Sequence, residues 1–232
     1  MARTNTEPLP TGDEKVVAVR SMFDAIAPRY DLVNRLMTFR MDVGWRKKTI
    51  ASLGLARGSV VVDLACGTGD LCRGLAGAGL RPIGLDLSYG MLAAARTEVP
   101  LAQADALRLP VPDASIDGVT CGFALRNFAA LPPFFAELGR VVRPGGRIAL
   151  LEVAEPPNPI LRWGHAIYFG KVVPLIGGLL SDGSAYRYLP KSVAYLPEPE
   201  VMLDQIRAAG FTDVDRRLLS TGIAQLVTAT RA

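Results

Sequence analysis

The chain has 232 residues, of which 50% are hydrophobic and 21% charged; this supports one α/β domain with elaborations and excludes a largely disordered protein. Its formal net charge of +4 is scattered with no dense basic run, which excludes nucleic acid as the natural partner and leaves a surface compatible with anionic lipid. Three cysteines, Cys66, Cys72 and Cys121, beside a single histidine indicate neither a disulfide framework nor a zinc site, and no metal is expected.

In chain order, residues 1–14 carry Pro8, Pro10 and Gly12 and lack the apolar core of a signal peptide, so they read as a flexible start of a cytoplasmic protein. Residues 15–53 read as a helical cover. From Ser59 apolar strand-like runs alternate with helical patterns. The strands are Val60 to Ala65, Pro82 to Leu87, Gly118 to Phe123 and Ile148 to Val153; the helices are Gly69 to Ala76, Ser88 to Arg96 and Pro133 to Val142. Such alternation predicts a parallel sheet. The sequence Arg143-Pro144-Gly145-Gly146 reads as a turn ending the last of those helices.

Residues 156–197 are aromatic and rich in Pro and Gly, and predict a lid or substrate insertion. Their best apolar stretch, Val172 to Leu180, is far short of the roughly 18 to 20 residues needed to span a bilayer. A helix from Pro199 to Ala209 then precedes two strands, Val214 to Leu219 and Gln225 to Thr230, that would pair as a hairpin about Thr221-Gly222. The whole reads as a seven-stranded, mostly parallel sheet with an antiparallel C-terminal edge.

The first strand runs through Val62 and Asp63 into Cys66-Gly67-Thr68-Gly69-Asp70, a glycine turn on which a nucleoside-like ligand can approach the backbone. Asp86 ends the second strand, where a carboxylate accepts from ribose hydroxyls. A dinucleotide fingerprint needs glycine at position 72; this chain has Cys72, and Asp70 would repel a pyrophosphate. S-adenosylmethionine has no phosphate, and its ammonium suits acids such as Asp63 or Asp70. Asp105, after the third strand, would contact the adenine edge.

With these residues and the Arg143 to Gly146 turn, the chain resembles the Rossmann-like class I methyltransferases. Met22 to Asp31 (MFDAIAPRYD), Phe123 to Phe128 (FALRNF) and Ala185 to Ser192 (AYRYLPKS) narrow this. Over about residues 20 to 230 the chain is similar to the ubiquinone/menaquinone biosynthesis C-methyltransferase family. The resemblance implies transfer of a methyl group from S-adenosylmethionine to a ring carbon of a prenylated quinol, demethylmenaquinol to menaquinol. The ubiquinone equivalent and a soluble phenolic acceptor are its alternatives, and a non-catalytic methyltransferase-like subunit is a third. It places cofactor contacts on Thr68, Asp86, Asp105 and Ala106. Gly122 departs from a serine common in the family, so backbone or water replaces a hydroxyl contact there.

Arg126 and Asn127 follow the fourth strand at its carboxyl end. Arginine stays charged at neutral pH, so it would stabilise a quinol oxyanion rather than act as base. Tyr30 would close over the cofactor or bond the quinol. His165 lies outside the three signatures and is assigned to packing or the surface. The apolar residues from Ile160 to Leu180, flanked by Arg162 and Lys171, would line a prenyl groove and rest at the inner face of the membrane, or pack a lid or homodimer contact.

Overall fold

A computed structural model describes residues 11–173, 175, 178 and 192–232. Its sheet has seven strands in the order β3-β2-β1-β4-β5-β7-β6. These are β1 (Val60–Leu64), β2 (Arg81–Asp86), β3 (Leu101–Gln103), β4 (Ile116–Gly122), β5 (Val142–Val153), β6 (Phe211–Leu219) and β7 (Ala224–Arg231). The first five pair in parallel, whereas β7 pairs antiparallel to both β5 and β6. The expected hairpin is therefore present.

Both faces are covered, which is why the central strands are continuously apolar. Ile148 and Leu150 of β5 point into a core with Phe134, Phe135 and Leu138 of α6 (Leu131–Val141) and Met202, Leu203 and Ile206 of α8 (Pro199–Ala208). The alternate residues Ala149 and Leu151 meet Trp45 and Leu53 of α3 (Met41–Leu53) on the other side. The helices α4 (Asp70–Gly77) and α5 (Tyr89–Ala93) complete the βα alternation.

The Arg143 to Gly146 segment corrects the expected turn. It lies inside β5: Val142 pairs with Ile116 and Arg147 with Gly118, so residues 143–146 bulge out of register. Pro144 has no N–H for the ladder, and Gly145 takes a φ of +76°. Arg143 is anchored by its Nε to Asp117 Oδ1 at 2.6 Å.

Helix α1 (Gly12–Ile26) begins inside the segment expected to be flexible, and α2 (Tyr30–Met37) follows it through one 3-10 turn. Ile26, Val33 and Met37 form a separate apolar cluster with Val173, packed by Tyr168 and Phe169, so the N-terminal helices and the insertion are one layer. The insertion starts with α7 (Pro159–Ile167), whose Asn158 cap accepts from the N–H groups of Ile160 at 2.9 Å and Leu161 at 3.3 Å. A π-helical segment, Tyr168–Val172, continues it. Ile176, Leu179, Leu180 and residues 185–191 of the third signature lie outside the described residues. Among the described residues no helix is long and apolar enough to cross a membrane.

Candidate functional site

The carboxyl ends of β1 and β4 lie side by side where the strand order reverses, the place at which open α/β sheets bind ligands. Two cavities open there, of about 130 and 380 Å³. They share four wall residues, Phe23, Tyr30, Arg46 and Phe123.

The smaller cavity is built by the β1 corner. Gly67 has a φ of +57°, and a Cβ there would stand 3.0 Å from Met91 Cε, so a side chain would be strained and would crowd the floor. The Asp86 carboxylate accepts the N–H of Gly67 at 2.8 Å through Oδ2 and that of Ser88 at 2.8 Å through Oδ1. Burial pushes its pKa up. Each oxygen has a further lone pair, so a diol can still bond to it. Thr68 donates its hydroxyl to Asp31 Oδ1 at 2.6 Å. Asp105 is exposed at the rim, its Oδ1 accepting the N–H of Leu107 at 2.9 Å, beside buried Ala106. Gly122 also lines this cavity, 3.0 Å from Leu71 Cδ1 by its would-be Cβ.

Nine of the eleven expected site residues line this smaller cavity: Tyr30, Asp63, Gly67, Thr68, Asp86, Asp105, Ala106, Gly122 and Asn127. Gly69 does not; its φ of +82° turns the chain into α4, and a Cβ there would meet Thr97 Cγ2 at 2.8 Å. The acids proposed for an ammonium have other partners. Asp63 is 1% exposed, accepting from Thr120 Oγ1 at 2.7 Å and Cys72 Sγ at 3.4 Å, and burial raises its pKa to about 7. Asp70 is ion-paired to Arg73, to Arg46 at 3.3 Å and to Arg35 at 3.5 Å. All three cysteines are buried and free.

Arg126 lies in the 3-10 turn Leu125–Asn127 and faces the larger cavity. It is 5% exposed and ion-paired to fully buried Glu152 of β5. Its Nη1 also donates to the Phe123 carbonyl at 2.7 Å and its Nε to Ser192 Oγ at 3.1 Å. Phe123 takes a φ of +61°, which turns its ring into the wall between the cavities. Asn127, beside Arg126, is buried and on the smaller cavity, so this one turn serves both.

The larger cavity is mostly apolar. From the insertion it takes Ile160, Leu161, His165, Tyr168, Phe169 and Val173, from the N-terminal helices Met22, Ile26 and Met37, and from the turn between α2 and α3 Phe39. Tyr168 is pinned by its hydroxyl to the Met37 carbonyl at 2.7 Å. Trp163 and Leu175, expected in the groove, are instead strongly exposed. His165 packs against Phe169, their ring centres 4.5 Å apart, and borders the larger cavity. Arg46 and Asp31 were also missed: Asp31 sat within the first signature, but no local pattern marks Arg46.

Four similarities to known proteins stand beside this geometry. The model of the ubiE/COQ5 methyltransferase family matches residues 10–231. A demethylmenaquinone methyltransferase of Deinococcus radiodurans is 41% identical over 97% of either chain, and one of Thermus thermophilus is 43% identical over 88% of this chain and 97% of its own. Among solved structures, a phosphoethanolamine N-methyltransferase of Haemonchus contortus in complex with S-adenosyl-L-methionine has a TM-score of 0.59 at 16% identity. That match covers 80% of this chain and 52% of that one, and shows the fold alone.

Proposed function

The chain belongs to the ubiE/COQ5 methyltransferase family, and on that premise we propose that it methylates a ring carbon of a prenylated quinol, demethylmenaquinol to menaquinol, in menaquinone biosynthesis. The observation that carries this reading is the pair of adjoining cavities: a smaller one at the β1 corner, the more polar of the two, and a larger, more apolar one, separated by Phe23, Tyr30, Arg46 and Phe123. A methyl donor and a lipid-like acceptor need such neighbouring compartments, because methyl transfer depends on holding the two reacting carbons in line.

When bound, S-adenosylmethionine supplies an electrophilic methyl group on a positive sulfur. The smaller cavity suits it: Asp86 has lone pairs left for ribose hydroxyls, Asp105 and Ala106 flank the adenine side, and Gly67 with Thr68 admits close backbone approach. Asn127 acts from the smaller cavity, on the same turn as Arg126. Arg126 acts from the larger cavity, favouring negative charge on a quinol oxygen, with Glu152 fixing its direction. Tyr30, whose pKa is raised by burial, stays protonated and donates a hydrogen bond.

Exposed Ile160 and Phe39 line the larger cavity, the Phe39 ring 5.8 Å from that of Tyr168, and Trp163 and Leu175 are exposed in the same stretch of chain as Ile160. With Arg162 and Lys171 nearby in sequence, this face rests on the inner surface of an anionic membrane and admits the prenyl tail.

Transfer of labelled methyl from S-adenosylmethionine to reduced, demethylated menaquinone tests the assignment. A tailed quinol is expected to exceed its tail-free ring in kcat/KM by tenfold or more. Preference for the tail-free ring would move the acceptor to soluble phenols.

A further inference from the structure

S-adenosylmethionine carries more than a positive sulfur: its amino-acid end has a carboxylate beside the ammonium. The smaller cavity is walled by Asp31, Asp63, Asp70, Asp86 and Asp105, acids that suit the ammonium, so the anion needs a cation among them. Among the described residues two cations share that wall, Arg20 and Arg46. Arg20 is on α1, its Nε 3.9 Å from Asp24 Oδ2, and Asp24 accepts from Ser88 and Gly90 just past Asp86. Arg20 therefore stands on the ribose side. Arg46 stands at the other end, on α3, its Nη1 3.3 Å from Asp70 Oδ2 where the Gly67-Thr68-Gly69 turn enters α4.

The same Nη1 is ion-paired to Asp42, so both acids that fix Arg46 do so through one nitrogen. Among the described residues no protein atom accepts from its Nε or Nη2, and neither is sealed from solvent. The Arg46 side chain keeps 16% of its surface accessible, against 2% for Asp42. The Nε–H and Nη2–H bonds point the same way from one edge of the guanidinium, the fork that pairs with a carboxylate through two parallel hydrogen bonds. Around it Asp31, Asp42 and Asp70 stand against Arg35, Arg46 and Arg73, so this end is electrically balanced, and a zwitterionic amino-acid group enters it without adding net charge.

We propose that Arg46 recognises the methyl donor by its carboxylate, gripping it through Nε and Nη2 while Asp42 and Asp70 hold the guanidinium from Nη1. The inference rests on the reading of the smaller cavity as the S-adenosylmethionine site. Held at Asp86 by its ribose and at Arg46 by its carboxylate, the donor is restrained on both sides of its sulfur, which is what in-line transfer needs. Arg46 also belongs to the wall shared with the larger cavity, so the restraint acts at the boundary between the two.

Calorimetric titration of the full-length protein with S-adenosylmethionine and with decarboxylated S-adenosylmethionine, which keeps the sulfonium and the amine, reads this contact without turnover. The unaltered protein should prefer the carboxylated donor by about 10- to 100-fold, the worth of a charge-assisted pair. Arg46→Met should abolish that preference by weakening S-adenosylmethionine alone; the decarboxylated compound should bind no more weakly than before, which also shows that the variant is folded. Arg46→Lys, a point charge without the fork, should keep part of the preference. Should Arg46→Met fail to fold because buried Asp42 is left unpaired, Arg46→Met with Asp42→Asn removes both charges and should show the same loss. Equal affinity of the unaltered protein for the two compounds, or an Arg46→Met variant that keeps the preference and is impaired only in kcat with a tailed quinol, would overturn the inference and leave the donor site standing. An unaltered protein that binds neither compound would overturn both.

Discussion

The carboxyl group of Asp63 is enclosed by Thr120 and Cys72, and its pKa rises to about 7 because burial disfavours the charged form. A folded-state pKa above the unfolded one means that its contribution is full below about pH 4 and is lost as pH rises through 7. The unfolding free energy of the unaltered chain in urea melts should therefore fall between pH 5 and 8 relative to that of Asp63→Asn, by an amount on the order of 3 kcal/mol. Parallel pH profiles would show that Asp63 is ionised in the fold throughout. Arg126 calls for a different comparison. Glu152→Gln alone strands a buried guanidinium and should cost about 3–5 kcal/mol in a denaturant melt. Arg126→Met with Glu152→Gln removes both charges, should cost far less, and should lower kcat while sparing donor Kd; unchanged kcat would remove Arg126 from the chemistry. Gly67, Asp86 and Asp105 were legible because a glycine turn and strand-end acids are local patterns. Arg46 and the pairing of Arg126 with Glu152, 26 positions apart, were not, since only the fold brings them together.

Among the elements, α1 covers the smaller cavity through Val16, Val19, Arg20 and Phe23. It is fastened at two points. Asp24 Oδ1 accepts from Ser88 Oγ at 2.5 Å and from the N–H of Gly90 at 2.8 Å, and buried Lys15 donates to the Phe128 carbonyl at 2.7 Å while lying 3.5 Å from the centre of the Tyr195 ring. Lys15→Ala removes the second point, a loss of about 1–3 kcal/mol confined to this cover. Hydrogen exchange should speed up in residues 12–26 while β1 and β4 keep their protection, and donor dissociation should quicken several-fold. Uniform acceleration across the sheet would mean that α1 is integral to the core instead. The strands were readable from their apolar runs. The β5 bulge was not, because Pro and Gly after a helix carry the same signal whether the chain turns before a strand or within one. Residues 156–197 stood out by composition, yet which of them face inward depends on packing against α1 and α2: Tyr168, Phe169 and Val173 do, and Trp163 does not.

At the scale of the molecule, the sheet order puts the β1 glycine corner at the reversal between β1 and β4, and the N-terminal helices and residues after β5 add a second, more apolar chamber beside it. The alternation of strands and helices made the first part predictable, as it does for any doubly wound sheet. The second part is assembled by residues more than a hundred positions apart, such as Met37 and Tyr168, and no periodicity announces it. On the proposed reading, two chambers meeting at Tyr30 and Phe123 let one methyl group move onto a lipid quinol. Mass spectrometry of the quinones in cells deprived of this protein tests that claim most directly. The account predicts accumulation of a naphthoquinone lighter by one CH₂ unit with its prenyl tail intact, reversed when the protein is restored. An unchanged quinone pool, with the mature methylated ring at its normal level, would contradict it.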